Sequence, residues 1–175
     1  MKKQLIIVLI ALLSITIYAK TDTVSVHSSC TTIASLEKKL KQSGKPEKIL
    51  LKMGRLAEKI DIEEKVYHNN SDYKNICHLK IVKSENFGDF PSYSGYHYYQ
   101  ILKKYPKSDL ADDAAFALIY VITEDSYNFS DTRIEKKKLE TFIKQYPDSN
   151  KVKEAKVRIS EIDVQLKNGE SPILD

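Results

Sequence analysis

Tyr98-Tyr99-Gln100-Ile101-Leu102-Lys103-Lys104-Tyr105-Pro106-Lys107-Ser108-Asp109-Leu110-Ala111-Asp112-Asp113-Ala114 has a counterpart 41 residues downstream, Leu139-Glu140-Thr141-Phe142-Ile143-Lys144-Gln145-Tyr146-Pro147-Asp148-Ser149-Asn150-Lys151-Val152-Lys153-Glu154-Ala155. Tyr105, Pro106, Ser108 and Ala114 recur as Tyr146, Pro147, Ser149 and Ala155. In each copy an apolar helical stripe runs into Tyr-Pro. The residue before a proline is pushed out of the helical region, so one helix ends there. The serine is placed to N-cap the next helix. A helix, a tight turn and a second helix, repeated in register, is the unit of a helical-hairpin array, whose members bury their apolar faces against neighbouring units. The predicted fold is all-α, with a short array of antiparallel hairpins over residues 92–168.

Working outward, the first helix of the repeats is expected from about Ser92 to Tyr105, with Tyr98, Ile101, Leu102 and Tyr105 on its core stripe. In the next helix Ala111, Ala114, Ala115, Leu118, Val121 and Ile122 line one face, while Phe116, Ile119 and Tyr120 make the other apolar. A helix apolar on two sides needs neighbours on two sides, and its alanines let a backbone approach closely. A polar loop over 124–131 leads to a capping box, Thr132 with Glu135. Leu139, Phe142, Ile143 and Tyr146 form the stripe of the third helix. The last carries Val152, Ala155, Ile159, Ile162 and Leu166 opposite Lys153, Glu154, Lys156 and Glu161, a single apolar face suited to the end of an array. Asn168-Gly169 and Pro172 stop it, leaving a tail at 169–175.

Residues 31–91 read as an N-terminal helical region. Ile33, Leu36 and Leu40 share a face, and Ile49, Leu50, Met53, Leu56, Ala57 and Ile60 follow an amphipathic period behind Pro46. These two helices are candidates for an early, diverged hairpin of the same array. Residues 72–83 fit either a helical stripe or a strand, and helix is favoured by the helical neighbours; 84–92 reads as a loop.

The first nineteen residues have the layout of a secretory signal peptide: Lys2 and Lys3, an apolar run from Leu5 to Ile17, and Ala19 at the cleavage point. That run is shorter than the ~20 residues that span a bilayer. Export to the periplasm or the exterior is therefore expected, with residues 20–30 as a mobile lead-in and no integral membrane segment once the signal is removed. Loss of Lys2 and Lys3 lowers the formal charge of +4 by two, which argues against nucleic acid as a partner. The chain has two cysteines, Cys30 and Cys77. In an exported protein they favour a disulfide, with two separate buried thiols as the alternative.

The Tyr-Pro-x-Ser turn with its following alanine resembles the tetratricopeptide-like repeat in the form found in bacterial envelope proteins, notably the outer-membrane-protein assembly lipoprotein D family and the periplasmic coordinator of the Tol-Pal system. Tyr105-Pro106-Lys107-Ser108 with Ala111 and Ala114, and Tyr146-Pro147-Asp148-Ser149 with Ala155, carry the likeness, which covers residues 93–166. It implies a right-handed array of hairpins and a protein- or peptide-binding role. The period of 41 exceeds the usual 34, and no lipid-attachment cysteine follows the signal, so the likeness implies a fold and a role but not membership of either machine.

No catalytic constellation is present. There is no Gly-x-Ser-x-Gly elbow, and five glycines leave little for a phosphate-cradling loop. Asp112-Asp113 and Glu124-Asp125 diverge on a helix; the first pair suits a helix N-terminus. His27, His68, His78 and His97 lack ligand spacing and are expected on the surface, so neither metal nor cofactor is expected. The candidate binding surface is aromatic and basic: Tyr96, Tyr99 and Lys103 on one helix, with Phe116 and Tyr120 of the next as a second wall. Packing of the tyrosine face against the 46–67 helix is the competing reading. An exported scaffold for an envelope protein or peptide is the leading expectation; an immunity- or inhibitor-type protein blocking one toxin or enzyme is the alternative.

Overall fold

The computed structural model describes residues 28–83, 88–121 and 132–168. The expected signal segment 1–19, most of the expected lead-in 20–30, the expected 124–131 loop and the expected tail 169–175 lie outside them. Helix α1 spans 28–40, beginning earlier than the Thr31 start expected from the sequence. Helix α2, Pro46–Ala57, starts with its proline in the first turn, where the missing N–H costs nothing. It stops at Ala57 instead of continuing toward Val66. Two short helices follow, α3 (Glu64–His68) and α4 (Ser71–Asn75). The Asn70 side chain caps α4 by accepting from the Asp72 N–H at 2.9 Å.

Residues 72–83 depart from the helix favoured above. Strand β1, Leu79–Val82, pairs antiparallel with β2, Phe90–Tyr93, in the register Leu79↔Tyr93 and Ile81↔Pro91. The alternation of Leu79 and Ile81 thus outweighs the helical stripe. Pro91 is tolerated because a two-stranded ribbon has only edge strands. The helix expected from Ser92 is correspondingly shortened to α5, Tyr96–Lys104. Gly95 turns the chain into α5 with φ 78°, and a Cβ there would lie 2.6 Å from Cδ2 of Leu118.

Helices α6 (Ala111–Ile119), α7 (Thr132–Gln145) and α8 (Val152–Lys167) complete the described chain. Eight helices and one small ribbon make the described residues mostly helical. Packing follows chain order, α2 on α5, α5 on α6, α6 on α7 and α7 on α8. At the first of these contacts Gly54 lies directly against the Tyr98 ring, which is fully buried.

The two Tyr-Pro-x-Ser turns match bond for bond. The Tyr105 and Tyr146 N–H groups donate to the carbonyls of Ile101 and Phe142, both at 2.8 Å, and the Ser108 and Ser149 N–H groups donate to Tyr105 and Tyr146 at 3.0 and 3.1 Å. The serines do not N-cap as expected. Their hydroxyls accept from Leu110 and Lys151 N–H at 3.2 and 3.1 Å, immediately before the helix, which begins three residues beyond each serine. Burial repeats as well, with Ala114 and Ala155 both fully buried. At the start of α7, both Glu135 carboxylate oxygens accept from Arg158 of α8, at 2.8 and 2.9 Å.

Two apolar clusters result. One gathers α1, α2, α4, the ribbon and α5, and takes Ala114 and Val121; the other holds Phe116, Leu139, Phe142, Ala155 and Ile162. Helix α6 serves both, as its two-sided apolarity demands. Cys30 and Cys77 are joined by a disulfide, with their Cα atoms 5.5 Å apart, tying α1 to the start of the ribbon. Among the described residues no helix is long and apolar enough to cross a membrane.

Candidate functional site

Helices α5, α6 and α7 leave a groove of about 520 Å³ between them. Tyr99 and Leu102 contribute from α5, Leu118 and Ile119 from α6, and Ile134 and Phe142 from α7. Lys137, Lys138, Thr141 and Gln145 supply the polar groups. On α6, Ala114, Ala117 and Leu118 pack with the cluster that includes α5, and Ala115, Phe116 and Ile119 with the cluster of α7 and α8. Tyr99 is 55% exposed, and Ile134 sits at the surface. The floor is thus apolar and reachable, and the α7 side is basic.

Of the five residues expected to form one surface, only Tyr99 lines this groove. Tyr96 is turned toward the ribbon, its ring stacked on His78 with centroids 3.7 Å apart. Lys103 is exposed elsewhere on α5. Phe116 is not a wall but core: it is 6% exposed, meets Phe142 edge-on at 5.1 Å and lies under the Lys151 ammonium. Tyr120, half exposed, packs its edge on Phe116, away from the groove. The reason is angular. Tyr96 and Tyr99 share a helical stripe, but the ribbon intervenes beside the first and not the second.

The groove residues Leu102, Leu118 and Ile119 were legible only as core. Ile134 was the available signal, an aliphatic residue isolated among Arg133, Glu135, Lys136 and Lys137. Such a residue on a charged helix face marks a place where that face meets something apolar.

The histidines also depart from expectation. His97 is fully buried, and burial, with the neighbouring His78, pushes its pKa down to about 3. His78 is mostly buried and its pKa is lowered for the same first reason. Only His68, paired with Glu64 at 3.3 Å one turn away, is an ordinary surface histidine among the described residues. No protein-family model matches the chain, and neither the curated proteins nor the solved structures yield a match.

Proposed function

We propose that the protein is an exported tetratricopeptide-like scaffold that holds another protein or peptide of the cell envelope, with the α5–α6–α7 groove as its seat. The observation carrying this reading is the groove itself, an accessible apolar floor with lysines on one side, among three helices consecutive in the packing order. Its chemistry suits a segment with two or three apolar side chains flanked by carboxylates, since opposite charge steers encounter and apolar burial supplies affinity. The matched turns at a spacing of 41 residues support the repeat reading. The disulfide and the N-terminal layout of Lys2, Lys3 and the apolar run support an oxidising compartment.

Affinity capture from envelope extracts tests the reading. The wild-type protein should retain a partner that the Tyr99→Ala, Lys138→Glu variant loses, with both proteins equally folded by circular dichroism. Retention of the same partner by that variant would remove the groove from the account. A single toxin or enzyme as the captured species would favour an immunity-type role over a scaffold.

A further inference from the structure

Glu37, His78 and His97 come from three separate segments and converge beside the disulfide. Each offers one ligand atom, and the three atoms lie within 4.8 Å of one another. Glu37 sits two helical turns beyond Cys30 on α1, so the two share a face. The Cys30–Cys77 bond therefore sets Glu37 over His78, the residue after Cys77, and the carboxylate lies 4.0 Å from the His78 Nε2.

His78 is held firmly in an uncommon backbone conformation, with φ 53°. The Ser94 N–H donates to its carbonyl at 3.0 Å, and the Tyr96 ring covers its imidazole. His97 is fixed from the other side: the Tyr93 hydroxyl lies 2.9 Å from its Nδ1 and accepts from its backbone N–H at 2.8 Å. Nε2 of each ring is buried without a hydrogen-bond partner. Buried polar atoms are nearly always satisfied, and two unpartnered imidazole nitrogens in a cluster with one carboxylate offer donor atoms to a shared ligand.

We infer that Glu37, His78 and His97 form a three-ligand site for a zinc-class divalent transition-metal ion. Two imidazole nitrogens and one carboxylate suit zinc and disfavour magnesium and calcium, which prefer all-oxygen shells. The Tyr93 hydroxyl would serve as the outer partner that orients the His97 ring. Glu37, with 43% of its side chain exposed, is the most solvent-accessible of the three residues. Such an ion would tie α1, the ribbon and α5 together at a point independent of the groove.

Titration of chelator-stripped full-length protein with zinc alone, followed by calorimetry, tests the site, with cobalt substitution as the spectroscopic readout. One equivalent should bind, and bound cobalt should show the visible absorption of low-coordinate nitrogen–oxygen ligation. Glu37→Gln, a change at a partly exposed position, should weaken binding roughly tenfold or more. His78→Asn keeps a side chain tolerant of positive φ and should abolish binding, while His68→Gln should leave it unchanged. Absence of saturable zinc uptake, or uptake indifferent to both Glu37→Gln and His78→Asn, would overturn the inference.

Discussion

Gly54 shows how much of the packing rests on one missing atom. A Cβ at this position would meet the Tyr98 ring well inside contact distance, and Tyr98 is fully enclosed with no room to retreat. Gly54→Ala gains helix propensity of about 1 kcal/mol at an ordinary position. Here overpacking of ~1–3 kcal/mol opposes and outweighs it. Urea unfolding should therefore find the variant less stable than wild type, and an unchanged or raised midpoint would mean that α2 and α5 are not in this contact. The histidines teach the opposite lesson about legibility. His78 and His97 lie far apart in sequence, and Glu37 is on another helix, so no spacing rule joins them. Their meeting depends on the Leu79↔Tyr93 register, which sets His78 beside Ser94 and so within one turn of His97.

At the scale of elements, the helices on either side of each Tyr-Pro turn were readable because their signals are strong and doubled. Proline fixes a helix end by sterics, and a second copy in register makes chance agreement improbable. The buried alanines follow from the same alignment. Ala114→Leu and Ala155→Leu should each cost ~1–3 kcal/mol, because each alanine sits fully buried where helices approach. Denaturant midpoints equal to wild type for both would reject the alignment. The ribbon was hidden because each strand has four residues, too few for alternation to beat a helical stripe, and its partner segment contains a proline. The serine caps failed more subtly: the hydroxyl satisfies a turn N–H one step early, and the helix begins without a side-chain cap. Glu135, read from sequence for its own helix terminus, also reaches Arg158 of α8 in a charge-assisted pair, a stronger bond than a neutral one.

Across the whole molecule, the disulfide ties α1 to the ribbon, while the groove lies among α5, α6 and α7. The cross-link closes a loop with a sequence separation of 47, and it constrains the unfolded chain by at most ~4 kcal/mol in the chain-entropy model. Cys30→Ser with Cys77→Ser should lower the melting temperature, and a reducing agent should lower the wild-type value similarly. Equal melting temperatures with and without reductant would show that the bond does not form in solution. The surface composed from five residues in the sequence survives only at Tyr99, because sequence gives the stripe on a helix but not which neighbour covers it. Site-specific photo-crosslinking in envelope preparations tests the groove most directly. A photoreactive residue at Thr141, within the groove, should give a discrete adduct that is absent when the probe is placed at Lys153 on the charged outer face of α8. An adduct from Lys153 and none from Thr141 would contradict the account.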